Sequence, residues 1–302
     1  MKNYKKLIGL MIIVTFILVA AGCGQEDSNT NDEEGTESVG EAVEYTITGI
    51  EAGAGITEAT KNALSEYENL SGWEQETSST AAMITELGEA IDNEEPIIVA
   101  GWSPHYKFAQ YDLKYLEDPK GVYGEAENIN TIARKGLEED MPGAYTILDR
   151  FKWGVEDSEA FLLESLESEF EEVAQQWVDE HQEDVAEWTE GVEQVDGTEL
   201  EIALAPWDSE RAPANILKIV LEQHGFNVTL TTVDPAVMFE AIASGDADAS
   251  PSAWLPITHS AFYEDYKEDI VDLGPNLEGA KTGLVVPSYM EIDSIEDLKA
   301  AE

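Results

Sequence analysis

Gly101-Trp102-Ser103-Pro104-His105 has a near-copy in Ala253-Trp254-Leu255-Pro256-Ile257-Thr258-His259. Each follows a strand-like run, Pro96-Ile97-Ile98-Val99-Ala100 in the first case and the small-residue run 247–253 in the second. Each also puts a Trp where a strand gives way to a loop. The two Trp residues are 152 positions apart, and the same offset carries Gly55, in Gly53-Ala54-Gly55-Ile56-Thr57, onto Trp207, in Ala205-Pro206-Trp207-Asp208-Ser209-Glu210. A fixed offset of this size reads as two similar half-molecules. Each half then offers one loop at the end of its first strand and another at the end of a later strand, all facing one cleft.

Outward from these motifs, the pattern predicts strands at 45–50, 73–77 and 96–100, alternating with helices at 57–70 and 79–93. The second half repeats this order, with strands at 200–204 and 228–233, helices at 212–223 and 238–243, and a final short helix at 295–299. Strands and helices alternating at this spacing argue for parallel α/β units. Two further segments, 128–134 and 280–286, match at the same offset and are the candidate hinge strands, the second of them carrying a strand at 282–286. Between the halves, 140–153 and 158–190 read as helical. Leu162, Leu166, Phe170, Ala174, Trp177 and Val178 recur at helical intervals there, so Trp153, Trp177 and Trp188 read as core.

The chain opens with Lys2, Lys5 and Lys6, an apolar run over 7–19, and Ala20-Ala21-Gly22 just before Cys23. This is the pattern of an export signal, 1–22, of the lipoprotein kind, with Cys23 as the residue to be lipidated. Cys23 is the only cysteine, so neither an intramolecular disulfide nor a cysteine-built zinc site is expected. The polar, acidic stretch 25–44 reads as a disordered tether, giving a lipidated-tether segment of 23–44. The formal charge of −48 becomes −51 without the leader's three lysines, 13 basic against 64 acidic side chains. Such a chain repels nucleic acid and bare anionic lipid alike. Because the excess is spread over the whole length, it reads as adaptation to salt or alkali rather than as a binding device.

A single Trp is ordinarily a packing residue, but three on strand-end loops beside Pro, Gly or Ser sit where this topology places ligands. Indole faces with no partner charge suit a quaternary ammonium, which donates no hydrogen bond and is drawn to the ring quadrupole. The glycine turn at 53–55 leads into a helix N-terminus, whose free N–H groups suit a carboxylate. Glycine turns mostly serve the turn alone, and only the repeat raises this one above that reading. For an enzyme, the chain lacks Gly-x-Ser-x-Gly, His-Glu-x-x-His, a phosphate-binding Gly-x-x-x-x-Gly-Lys-Ser/Thr and a reactive cysteine. His105, His181, His224 and His259 lie far apart, and Asp208 has no evident nucleophile or metal beside it.

The Trp102 and Trp254 motifs, with Leu113-Lys114-Tyr115-Leu116-Glu117-Asp118-Pro119-Lys120, Trp207-Asp208-Ser209-Glu210 and Gly283-Leu284-Val285-Val286-Pro287, resemble the glycine betaine-binding lipoproteins of bacterial osmoprotectant ABC importers, the OpuAC type. The resemblance covers the chain from Tyr45 to its end. It implies a two-domain, periplasmic-binding-protein-like α/β fold of type II, a venus flytrap, circularly permuted and joined by two hinge strands. Domain I would be 45–133 plus 287–302 and domain II 134–286. It further implies that Trp102, Trp207 and Trp254 cage a trimethylammonium, while the backbone N–H groups of Gly55 and Ile56 and the side chain of His259 hold the ligand carboxylate. The implied setting is the outer face of the cell membrane, lipid-anchored through Cys23, with permease and ATPase subunits as partners. No cofactor, metal or nucleic acid is expected, and the chain is expected to be a monomer. Receptors for choline, carnitine, proline betaine or another compatible solute such as an ectoine are the nearest alternatives, and an acidic surface protein without a ligand is a more distant one. Two departures from the family pattern are Tyr106, where some relatives have Trp, and Pro206 before Trp207.

This reading separates two kinds of Trp. Trp207→Ala is expected to abolish betaine binding, while Trp177→Ala is expected to lower the melting temperature and leave binding intact. Titration calorimetry and thermal unfolding of both variants check it, and equal effects on binding would refute the division.

Overall fold

The computed structural model describes residues 38–301. The expected leader, Cys23 and the tether up to residue 37 lie outside the described residues. Where the description begins, the tether reading gives way. Residues 38–44 are folded, because Ser38 and Glu41 close a capping box around the single turn α1 (Val39–Ala42), the Ser38 amide donating to the Glu41 carboxylate at 2.9 Å. The turn is pinned by Tyr45, whose ring meets Trp73 edge-on at 5.6 Å.

The elements that follow are β1 (Thr46–Thr48), α2 (Gly55–Glu66), β2 (Glu74–Glu76), α3 (Thr80–Asn93), β3 (Val99–Ser103), α4 (Lys107–Gln110), β4 (Leu113–Tyr115) and β5 (Glu127–Arg134). Five helices come next: α5 (Leu137–Asp140), α6 (Pro142–Arg150), α7 (Val155–Glu164), α8 (Phe170–Glu180) and α9 (Gln182–Thr189). The second half contains β6 (Thr198–Leu204), α10 (Asp208–Gln223), β7 (Phe226–Thr232), α11 (Pro235–Ser244), β8 (Ala249–Leu255), α12 (Ser260–Tyr266) and β9 (Ile270–Pro287). The 152-residue offset carries β1 onto β6, α2 onto α10, β2 onto β7 and β3 onto β8, so the repeat seen in the Trp motifs is a repeat of structure.

The strands run in the order β2-β1-β3-β9-β5-β8-β6-β7, with β4 added beside β9. In each half three strands are parallel, as α/β crossovers require, with the first strand of the half in the middle. An antiparallel strand then closes each set. β5 follows the first half in the chain but pairs with β8 of the second, Asn128 opposite Leu255. The end of β9 follows the second half but pairs with β3 of the first, Val99 opposite Val285. The start of β9 pairs with β5 from Arg134–Ile270 to Glu127–Ala280, broken by three register shifts. Each half is therefore completed by a strand from beyond the other.

Two sequence expectations change. The helical stretch 158–190 is three helices, because the chain turns at 165–169 and again at His181, where φ is −109°. Leu166 falls in the first turn and is 47% exposed instead of buried. The final strand begins at Ile270 instead of 282, reaching through Asp272, Gly274, Pro275 and Asn276, residues that disfavour strands and are held there by pairing with β5. Trp153, Trp177 and Trp188 are buried as the periodicity implies. Trp177 stacks on Trp188 at 5.8 Å and on His181 at 3.9 Å, and Phe151 meets Trp188 at 4.9 Å. Among the described residues no helix is long and apolar enough to cross a membrane.

Gly225, in the turn between α10 and β7, has φ +88°, and a Cβ there would lie 2.0 Å from the Val195 carbonyl oxygen. Gly191, at φ +78°, faces open space. Gly225→Ala is expected to destabilise by about 2–5 kcal/mol, from left-handed strain plus overpacking, against about 1–2 kcal/mol for Gly191→Ala. Thermal or denaturant unfolding of the two variants checks the order.

Candidate functional site

One cavity gathers residues from four strand ends. Trp102 stands on β3, and Trp207 caps the start of α10 just after β6. Trp254 stands on β8, and Gly55 and Ile56 open α2 after β1. His259 follows β8. All six line this cavity, together with Glu210, Thr258 and Thr282. Trp102, Ile56, Trp254 and His259 are buried, and Trp207 is partly so.

The turn from Trp254 to His259 closes on itself twice. The His259 amide donates to the Trp254 carbonyl at 2.9 Å, and the Trp254 amide donates to His259 Nδ1 at 3.1 Å. With Nδ1 accepting, the ring proton of the neutral imidazole belongs on Nε2, making that atom a donor. Burial pushes the His259 pKa down to about 4, so the ring is uncharged at neutrality. It is steadied by Phe239, edge-on at 5.8 Å.

Opposite this turn, α2 begins at Gly55 with no side-chain cap. The Thr57 amide bonds the Ala54 carbonyl at 3.0 Å, while Gly55 and Ile56 occupy the first two helical positions, whose N–H groups have no intrahelical acceptor. The glycine is required by packing. A Cβ at Gly55 would lie 2.5 Å from both the carbonyl oxygen and Cγ2 of Thr258, so the helix start of one half lies directly against the turn of the other. Thr258 is held in turn by the buried Glu127 at the start of β5. Its carboxylate accepts from the amides of Ile257 at 3.1 Å and Thr258 at 3.0 Å, and from the Thr258 hydroxyl. Burial outweighs these bonds and raises the Glu127 pKa.

Each indole is anchored from behind. The Trp254 Nε1–H donates to Glu210 at 2.7 Å, and the Trp207 Nε1–H donates to Glu51 at 3.3 Å. Glu51 is itself fixed by the Thr80 amide and hydroxyl, both at 2.9 Å, at the head of α3. Trp102 meets His105 edge-on at 4.7 Å, and Lys107 Nζ lies 4.1 Å from its ring centre while donating to its carbonyl at 3.1 Å. Lys107 is fully buried, and desolvation holds its pKa well below that of an ordinary lysine.

The sequence reading missed Glu210, Thr258, Thr282, Glu51, Glu127 and Lys107, and the expectation of an uncharged cage is corrected by Glu210. Glu210 lies inside the Trp207-Asp208-Ser209-Glu210 motif. Its signal is position: the third residue of a helix that starts at a strand-end Trp points back toward the same mouth as the helix amides. Of the other histidines, His181 and His224 sit at helix ends, their Nδ1 atoms bound to the carbonyls of Trp177 at 2.8 Å and Val220 at 2.9 Å. Asp208 is ion-paired with Arg211 at 3.0 Å. Among the described residues no group of three or more His, Cys, Asp or Glu is placed to hold a metal ion.

Residues 26–180 and 198–302 match the family described as the substrate binding domain of ABC-type glycine betaine transport systems. The chain belongs to this family. It is 46% identical, over 301 residues and 99% of each chain, to the glycine betaine/carnitine transport binding protein GbuC of Listeria monocytogenes. Among solved structures, lactococcal OpuAC, closed and complexed with glycine betaine, is 48% identical with a TM-score of 0.48. That match covers 48% of this chain and 58% of the other. The glycine betaine/L-proline-binding protein ProX of Borrelia burgdorferi is 30% identical with a TM-score of 0.44, the match covering 50% of this chain and 58% of the other.

Glu127 is expected to hold the 257–258 turn in register. Glu127→Ala removes three acceptor contacts, so amide exchange at Ile257 and Thr258 should accelerate by about tenfold or more, each buried bond contributing ~1 kcal/mol. Amides in β7 serve as the unchanged reference, and protection retained at 257–258 would refute the assignment.

Proposed function

We propose that this chain is the extracytoplasmic substrate-binding protein of an ABC importer and captures glycine betaine, holding the trimethylammonium among Trp102, Trp207 and Trp254 and the carboxylate on the Gly55 and Ile56 amides and His259 Nε2. The observation that carries the reading is the meeting of three indoles with two free helix amides and a neutral imidazole donor in one cavity. The two groups answer the two ends of a methylated zwitterion: ring faces attract a cation that donates no hydrogen bond, and the donors suit an anion. Family membership and the name of the Listeria relative support the same ligand class.

The reading includes two lobes that close over the ligand. The crossings fit at 126/127 and 280/281, a few residues before the 133/134 and 286/287 expected from sequence. β5 pairs with β8 along its length, and β9 changes partners between Ala280 and Lys281. Trp102, Gly55 and Ile56 then belong to one lobe, and Trp207, Trp254 and His259 to the other. Ligand favours closure by the difference in its affinity for the two states. Anchoring through Cys23, a site on the outer membrane face, permease and ATPase partners, a monomeric state and the absence of catalysis belong to the same proposal.

Titration calorimetry of the soluble chain, from about Gly24, with glycine betaine, carnitine, choline and proline tests it. Saturable one-to-one binding of glycine betaine is expected, with little heat from proline. His259→Ala should weaken betaine by about tenfold or more, one buried charge-assisted bond being worth ~1.5–3 kcal/mol, and leave any choline binding unchanged because choline has no carboxylate. No heat with any of the four would overturn the reading.

A further inference from the structure

The Trp cavity contains a carboxyl group without a countercharge. Glu210 is 2% exposed, and its polar partners are the Trp254 indole N–H at 2.7 Å and the Ser209 hydroxyl at 2.8 Å. Neither is charged. The neighbouring Arg211 is taken by Asp208 at 3.0 Å and lies over the Phe170 ring at 4.0 Å. No ion pair to Glu210 forms among the described residues. A buried carboxylate in this position is unfavourable until a cation arrives beside it.

Resting on the reading of the cavity as a quaternary-ammonium site, we propose that Glu210 sets its charge selectivity, supplying the negative partner that makes the cage prefer a cationic head group over an uncharged one of the same shape. Two effects act together. The carboxylate lines the cavity and attracts the cation directly at low dielectric. It also accepts the Trp254 N–H, and a charge-assisted bond at the ring edge draws electron density onto the indole face that meets the cation. Glu51 accepts from Trp207 in the same manner but is not part of the cavity lining.

Protonation follows from the geometry. Burial pushes the Glu210 pKa up to about 7, so a substantial fraction is protonated in the empty protein near neutrality. A bound cation favours the ionised form, so binding releases protons and strengthens as pH rises from 6 to 8. The groups around Glu210 are Asp208 and Arg211 on its own helix, Trp254 on β8, and His259 after β8, whose pKa of about 4 keeps it neutral across that window. Farther off, α8 presents Glu171, paired with Lys218 at 3.5 Å. α7 presents Glu159, raised by burial, and α4 presents Lys107, lowered by burial, over the Trp102 ring. Lys107 and Glu159 are common to wild type and a Glu210 variant, so the difference between their pH profiles isolates Glu210.

The test is calorimetry at pH 6, 7 and 8 on wild type and Glu210→Gln, which keeps an acceptor for Trp254 but loses the charge. The probes are glycine betaine and 3,3-dimethylbutanoate, in which carbon replaces the ammonium nitrogen. Wild type should bind betaine more tightly as pH rises, by about threefold to tenfold over the window, and Glu210→Gln should flatten that rise. The variant should lose about tenfold in betaine affinity, a cation–π and charge contribution of the usual size, while binding 3,3-dimethylbutanoate as well as wild type or better. Equal loss for both probes would overturn the proposal and reduce Glu210 to a prop for Trp254, as would unchanged binding of both. Should the variant misfold, wild type alone decides: betaine titrated at pH 7 in buffers of different ionisation enthalpy must release a fraction of a proton, and zero release overturns the proposal. Wild type that binds no betaine would instead remove the cavity reading on which the proposal rests.

Discussion

The crossed closing strands are the constraint on which the rest depends. β9 spans 18 residues and hydrogen-bonds with β5 through its first part and with β3 through its last. Each half-sheet is complete only because a strand from beyond the other half lies against it. This brings the ends of β1, β3, β6 and β8 to one mouth, where the last residues of β3 and β8 and the first residues of α2 and α10 carry much of the cavity lining. The register shifts between β5 and β9 are spread from Glu127 to Ile132, and bulges of this kind let a pair of strands bend.

Much of this was legible in the sequence because it was written twice. One offset relates Trp102 to Trp254 and Gly55 to Trp207, and the strands and helices of the halves obey it. That is why residues more than 150 positions apart could be expected at one cavity before any strand was paired. The unread parts have physical causes. A glutamate in a chain with 64 acidic residues carries no signal until its burial is known, so Glu210, Glu127 and Glu51 passed as solvated charge. Lys107 looked like one more surface lysine. The first part of β9 is interrupted after Ile270 and Val271 by Asp272, Gly274, Pro275 and Asn276, which disfavour strands, and pairing with β5 holds it as one. Leu166 kept helical period through a turn, since period alone does not register where a helix stops.

The electrostatics divide between surface and interior. Outside, exposed ion pairs such as Lys61 with Glu58 at 2.5 Å are worth little. Inside, a few carboxylates sit against amides, hydroxyls and indole N–H groups, where each fixes a loop or a ring. His259 is kept neutral, and desolvation holds the pKa of Lys107, beside the Trp102 ring, well below that of an ordinary lysine.

The exchange of closing strands also sets an order on synthesis. β3 ends at Ser103, but its antiparallel partner, from Lys281 to Val285, is made almost two hundred residues later. Until then the first half emerges with an open strand edge, and its sheet cannot be finished by local contacts. Contacts that distant slow folding, because the loop entropy must be lost before the pairing rewards it. The sheet of the first half therefore stays incomplete until β9 is available, and β3 keeps a free edge until then.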